Sequence, residues 1–243
     1  MTHPSLDSID HRPWPLSHQP WVVQQRWDDL LFLHWEVSQT QMRQRIPKGL
    51  ELDLYDGKAW IGIVPFEIKR ITRRGLPAPS WLCSFPEINV RTYVTDGSKP
   101  GVWFFSLDIP NPLAVWAART FYHLPYYQSH VKLSPSERGI HFELQRGNRY
   151  WTGEYQAGPA VQALPGSFEH WATERYCLYS QDLWGGLHRA EIHHKPWPLQ
   201  SAEIRSMDHN LLASWDIQGK CQRPLFSKSI EVVVYPMESL HHP

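Results

Sequence analysis

The residues best placed to do chemistry sit in Phe85-Pro86-Glu87-Ile88-Asn89-Val90-Arg91-Thr92-Tyr93-Val94. Read as a β-strand, this run puts Glu87, Asn89, Arg91 and Tyr93 on one face and Ile88, Val90, Thr92 and Val94 on the other. An acid, an amide, a guanidinium and a phenol in one row could move a proton, share hydrogen bonds and hold an anion. On an open antiparallel sheet that row would meet water, whereas in a closed barrel it would line the interior. The alternation alone fits both geometries. In either, Glu87 and Arg91 stand about 13 Å apart along the strand, so each must find its partners on other strands.

Other candidate groups are weaker. In His188-Arg189-Ala190-Glu191-Ile192-His193-His194, a strand reading puts Arg189, Glu191, His193 and Lys195 on one face. The stretch is not the H-E-x-x-H zinc motif, and only Glu191 and His193 could share a metal, beside two cations. Hydrogen-bonded or solvated histidines and no metal are therefore expected. Glu174-Arg175-Tyr176 could face a cavity or close a helix end. Neither a P-loop nor a G-x-G-x-x-G stretch is present, and no cofactor is expected.

Composition narrows the class. Lys plus Arg and Asp plus Glu are equal at 24 each, which gives no general attraction to nucleic acid or to an anionic membrane. Cys83, Cys177 and Cys221 are far apart and form no C-x-x-C pair, as suits ordinary thiols in a reducing compartment. Residues 1–20 carry Pro4, Pro13, Pro15 and Pro20 without an apolar core segment, so they read as an extended arm ahead of a cytoplasmic domain. The 13 tryptophans, 10 tyrosines and 9 phenylalanines would fill a core or wall a ligand pocket with few rotamers to freeze.

The elements that must position these groups are mostly strands. Trp27 to Val37 is followed by Ser38 with Gln41 three residues on, a capping-box start for a helix ending near Pro47 and Gly49. Asp56-Gly57 turns one strand into the next at Ala59 to Val64. Thr72 to Ser84 has loop composition and could close over a pocket. Val102 to Leu107, apolar on both faces, reads as a central strand. Asn111-Pro112 caps a helix that exits at Pro125. Further strands are predicted over 126–133, 140–146, 150–156, 176–180, 187–194, 202–207 and 229–235, with short helices beginning at Ser167 and Asp208. Strands outnumber helices without strict βα alternation, which points to an α+β, mainly antiparallel barrel or sandwich.

Arg12-Pro13-Trp14-Pro15, the Phe85 to Val94 run, Gly101-Val102-Trp103-Phe104-Phe105-Ser106-Leu107-Asp108, Thr173-Glu174-Arg175-Tyr176 and Glu191-Ile192-His193-His194-Lys195-Pro196-Trp197-Pro198-Leu199 occur in that order. Together they resemble the bacterial YqjF-like family, also called DUF2071, and more distantly the acetoacetate decarboxylase superfamily. The resemblance implies a closed, cone-shaped barrel over 21–243 as one domain, around a site for a small carbonyl or carboxylate compound. It implies Glu87 as the acid and places Tyr126 and Tyr127 at the site, while the strand alternation adds Arg91, Tyr93 and Asn89 as ligand-binding groups. Catalysis stays open, as do a purely structural role and homo-oligomer formation. The superfamily's Pro-Lys-Lys step, whose lysine forms a Schiff base, is met here by Pro125-Tyr126-Tyr127. Lys132 lies roughly 20 Å further along the chain, too far to replace it, and Arg26 is a low-ranked match for a further superfamily arginine.

Incubation with acetoacetate followed by borohydride is therefore expected to leave the intact mass unchanged; a reduced lysine adduct would overturn the reading of Tyr126 and Tyr127.

Overall fold

Alternation of apolar side chains, read strand by strand, is what builds this molecule. The computed structural model describes residues 3–76, 84–137 and 139–240 of the 243. In chain order the elements are β1 (Val23–Val37), α1 (Gln39–Arg43), β2 (Glu51–Leu52), β3 (Ala59–Arg73), β4 (Phe85–Thr95), β5 (Pro100–Ile109) and α2 (Pro112–Tyr122). There follow β6 (Tyr126–Gln128), β7 (His130–Ser136), β8 (Gly139–Arg146), β9 (Arg149–Ala160), α3 (Phe168–Thr173), β10 (Cys177–Gln181), β11 (Leu187–His194), β12 (Leu199–His209) and β13 (Ile217–Leu240).

The strands hydrogen-bond in the order β1-β3-β4-β5-β10-β11-β13, and β13 returns to pair antiparallel with β1 from Val23 opposite Val234 to Val37 opposite Ile217. That last pairing closes a ring. Pairing is antiparallel except between β5 and β10 and between β5 and the short β6. From β13 a second run, β12-β9-β8-β7, leaves the ring and packs against its outer face.

Strands β1, β3 and β4 therefore have two buried faces. On β1, β3 and β4 the residues Leu31, Leu33, Trp35, Ile61, Ile63, Ile88 and Val90 point outward to meet Phe142, Leu144, Trp151 and Tyr155 of the second run. On the opposite face Leu30, Phe32, Val64, Phe66, Ile68 and Phe85 join Ala190, Ile192, Ile230, Val232 and Val234 inside the ring. Asp29, at a φ of 55°, interrupts β1 where its register with β3 shifts, so that Trp27 and Leu30 pack into the same interior cluster despite their odd spacing.

Local signals in the sequence explain the helices. Asn111 Oδ1 accepts from the N–H groups of Leu113 and Ala114 at 3.0 and 3.2 Å, and Pro112 occupies the first turn of α2. Ser38 accepts from the Gln41 N–H at 3.4 Å, but the Gln41 side chain reaches Ser214 and Asp216 instead of closing the box. Three local expectations are corrected. Strand β3 continues through Thr72 to Arg73, because its residues pair with Val23 and Gln24 of β1. The segment from Tyr126 is two strands, broken at Ser129. No helix begins at Asp208, which pairs with Thr152 inside β12 before a turn. The remainder of the expected loop, residues 77–83, lies outside the described residues, as does Cys83.

The N-terminal arm lies along the outside of β11 and β13. Pro4–Asp7 forms a single 3-10 turn, and Leu6, Leu16 and Trp21 cover Val233 and Tyr235. Arg12 donates to Glu191 at 3.1 Å with both side chains buried, and to the Ile192 carbonyl at 2.8 Å. Among the described residues no helix is long and apolar enough to cross a membrane.

Since β1 and β13 come from opposite ends of the chain and close one ring, unfolding is expected to be a single cooperative transition. Limited proteolysis that leaves two stable fragments, each melting cooperatively, would contradict it.

Candidate functional site

Closure of the ring decides where the polar row of β4 points. Because Ile88 and Val90 face the second run of strands, Glu87, Asn89, Arg91 and Tyr93 face the interior. The same face carries Phe66 opposite Glu87, Val64 opposite Asn89 and Gly62 opposite Arg91 on β3. Strand β6 lies beside β5 with Tyr126 next to Leu107 and Tyr127 next to Asp108. Leu107 in turn lies opposite Asn89, so Tyr126 shares the inner face and Tyr127 the outer one.

Glu87 is 2% exposed. Its carboxylate accepts from the Tyr126 hydroxyl at 2.9 Å and from Asn89 Nδ2 at 3.5 Å. Burial pushes the Glu87 pKa up to about 7 against the pull of those two hydrogen bonds, and Asp108 adds a like charge. The Tyr126 hydroxyl is held well above its ordinary value, by burial first and then by Glu87. The pair is thus a carboxyl that titrates near neutrality beside a phenol that keeps its proton. Such a group can give or take a proton at physiological pH.

At the other end of the row, near α3, Tyr93 donates to the Ala172 carbonyl at 3.0 Å, and its oxygen lies 2.6 Å from His34 Nε2. Arg91 Nη2 reaches the same carbonyl at 3.3 Å and the Tyr93 oxygen at 3.5 Å. Arg175, 6% exposed, donates through Nε to the Trp171 carbonyl at 2.5 Å and pairs with Asp53 through Nη1. Gly62 leaves room for this cluster, since a Cβ there would stand 3.3 Å from the His34 ring and 3.6 Å from Arg91. His34 is kept well below its ordinary pKa by burial, then by Arg91 and Arg175, and so is neutral. Aromatic rings wall the interior: Trp171 lies 4.3 Å from Tyr93, and Trp197 sits 5.1 Å from Phe32 and 6.1 Å from Trp27.

The expected site residues therefore divide. Glu87, Asn89 and Tyr126 form one cluster, and Arg91 and Tyr93 belong to a second. Tyr127 is not brought to either. Its ring receives the Arg146 guanidinium at 4.0 Å, and Arg146 pairs at 2.6 Å with Asp108, which also accepts from Ser129. Arg26 pairs with Asp28 at 2.7 Å, and Lys132 is exposed on β7. The polar groups of 188–194 are partnered elsewhere: His188 with Asp182, Glu191 with Arg12, Lys99 and Trp14, His193 with the Ser5 carbonyl, and His194 stacked on Tyr176. Burial lifts the Cys177 thiol to about 12. Two surface clefts, lined in part by Arg43 and Glu51 and by Arg149 and Asn210, include no side chain of the polar row.

Sequence reasoning missed His34 and underrated Arg175. For His34 a signal existed, since Leu30, Phe32 and His34 share one face of an otherwise apolar run. For Arg175 the only signal was its place in Glu174-Arg175-Tyr176, because its partner Asp53 meets it only in the fold.

A closed ring of mainly antiparallel strands with an acid and two arginines inside defines a class. The family model described as an uncharacterised conserved protein, DUF2071, matches residues 24–233, and the chain belongs to that family. The protein YqjF of Bacillus subtilis, described as uncharacterised, is 37% identical over 223 residues, spanning 89% of this chain and 92% of that protein. Among solved structures, an acetoacetate decarboxylase-like enzyme from Sphingomonas wittichii RW1 aligns with a TM-score of 0.64 at 12% identity, over 96% of this chain and 98% of its own. Acetoacetate decarboxylase from Legionella pneumophila gives 0.64 at 13% identity over 96% and 93%. The enduracididine biosynthesis enzyme MppR complexed with pyruvate gives 0.66 at 12% identity, over 91% of both chains. At these identities the likeness fixes the fold, which is that of the acetoacetate decarboxylase-like barrel.

A carboxyl whose folded pKa is raised contributes stability in full below the unfolded value of 4.5 and loses it as pH rises through about 7. Relative to Glu87→Gln, the wild type is expected to lose on the order of 3 kcal/mol between pH 5 and pH 8, an upper figure from 1.4 kcal/mol per unit. Denaturant midpoints of the two proteins that run parallel across that range would sink the burial assignment.

Proposed function

We propose that this chain binds a small carbonyl or carboxylate compound inside its barrel without Schiff-base chemistry. In this reading Glu87 is the proton-transfer group, Arg91 holds an anionic group, and Tyr126, Asn89 and Tyr93 supply hydrogen bonds. The observation that carries it is the buried Glu87 to Tyr126 pair, with a carboxyl poised near neutral pH in an aromatic interior. A purely structural role would not need a carboxylate there, since an apolar side chain of similar size would avoid the desolvation cost. The pyruvate complex of MppR shows that another barrel of this fold admits a small oxo acid, which supports the ligand class.

Tyr126 and Tyr127 stand where the superfamily pattern has its lysine pair. Without an amine, no covalent imine can act as an electron sink, so decarboxylation by that route is not part of the function. A second reading, a lysine-independent lyase or isomerase, draws on the same pKa. An unprotonated Glu87 can remove an acidic proton beside a carbonyl, and Tyr126, which stays protonated, can donate a hydrogen bond to the developing enolate oxygen.

Native mass spectrometry of the purified protein tests binding: a co-purifying small molecule in the wild type, reduced in Glu87→Gln, is expected. For the catalytic reading, deuterium uptake at the carbon beside the carbonyl of an oxo acid, followed by proton NMR, should rise with pH through about 7 as Glu87 ionises. Loss of that uptake of about a hundredfold or more in Glu87→Gln is expected of a general base. Uptake unchanged by the substitution would remove Glu87 from the reaction.

A further inference from the structure

The polar interior has two ends, and they are far apart. Glu87 and Arg91 are separated by about 13 Å along β4, and the Arg91 guanidinium turns further away, toward the Ala172 carbonyl at the end of α3. Arg175 converges on the same place from the opposite side, through the preceding carbonyl, that of Trp171. Both guanidiniums lie against the Tyr93 ring, at 5.7 and 4.9 Å from its centre.

Charge at this end does not balance. Arg175 pairs with one carboxylate, Asp53, Arg91 has no ion pair among the described residues, and the nearby His34 is neutral. Hydrogen bonding does not balance either. Arg175 Nη2, Arg91 Nε and His34 Nδ1 are all buried without a partner among the described residues. Tyr93 has a single proton and gives it to Ala172, so the hydrogen that joins it to His34 belongs to Nε2, and His34 Nδ1 is a free acceptor. Asn89 Oδ1, between the two ends, is a second buried acceptor without a partner. Buried polar groups are rarely left open, and a guanidinium with spare donors is a ready partner for a carboxylate. The helix-end carbonyls already satisfied by these arginines do not use the remaining donors.

We propose that Arg91 and Arg175 form an anion subsite at the α3 end of the barrel, which holds the carboxylate of an elongated oxo acid whose carbonyl reaches Glu87 and Tyr126. This rests on the proposed ligand class and sharpens it. A three- or four-carbon acid such as pyruvate or acetoacetate is too short to touch both ends, whereas a chain of about seven carbons spans most of the distance. Donor groups along the chain, a hydroxyl or an N–H, would face Asn89 Oδ1 and His34 Nδ1.

Calorimetric titration with pyruvate, with 6-oxoheptanoate and with the methyl ester of 6-oxoheptanoate tests this. The long acid is expected to bind at least about tenfold tighter than both pyruvate and the ester, the size of one charge-assisted contact. The ester comparison uses the wild-type protein and needs no variant. Arg91→Gln, at a half-buried position outside the Asp53 pair, should weaken the acid to the level of the ester and leave the ester unchanged. Arg175→Lys, which keeps the charge and the Asp53 partner, should weaken the acid less. If acid and ester bind alike and Arg91→Gln changes neither, the subsite is wrong while binding in the barrel stands. If the acid needs Arg91 but Glu87→Gln and Tyr126→Phe leave both ligands unaffected, the subsite stands and the Glu87 reading falls. If no compound binds, both are overturned.

Discussion

The pairing of β1 with β13 is the constraint on which the rest depends. It joins the first long strand to the last along nearly their whole length and removes the two edges an open sheet would leave. With the ring closed, one face of each strand in it becomes interior. Glu87, which on an open sheet would sit in water near its ordinary pKa, is instead desolvated beside Tyr126. The second run of strands, β12-β9-β8-β7, completes the effect by burying the outer face of β1, β3 and β4, so that these strands are apolar outward and partly polar inward.

Such an inversion is costly, and the fold offsets it locally. Removing one member of a buried ion pair typically costs about 3–5 kcal/mol, so charges persist inside only where partners are fixed. Asp53 holds Arg175, the carbonyls of Trp171 and Ala172 each accept from one guanidinium, and Gly62 vacates the space that His34 and Arg91 fill. Outside the ring the same rule applies to the N-terminal arm. Glu191 is buried on β11 only because Arg12, Trp14 and Lys99 close over it. The arm thus supplies one counter-charge, Arg12, beside Lys99 from the turn before β5.

Membership of the DUF2071 family and the likeness to acetoacetate decarboxylase-like barrels place this chain on a scaffold whose interior can be refitted without changing its frame. Fold does not carry chemistry with it. Here a tyrosine, Tyr126, faces the acid, and its neighbour, Tyr127, is turned outward, where it carries Arg146 against Asp108. One residue of strand alternation separates an inward side chain from an outward one.

The sequence by itself determined the periodicities: the alternation of Phe85 to Val94, the Asn111-Pro112 cap, the turn at Asp56-Gly57 and the strand-rich α+β class all follow from local rules that act within a few residues. It also carried the family, through motifs spread over the chain. It did not determine which face of β4 is inside, because alternation is symmetric until closure chooses a side. Its local rules could not join Glu87 to Tyr126, which the family resemblance alone brought to one site, or Arg175 to Asp53 and Tyr93, since those contacts bridge long stretches of chain and exist only once the ring has formed. Local grammar sets the faces of each strand, and the tertiary structure alone decided which of them is buried and with whom.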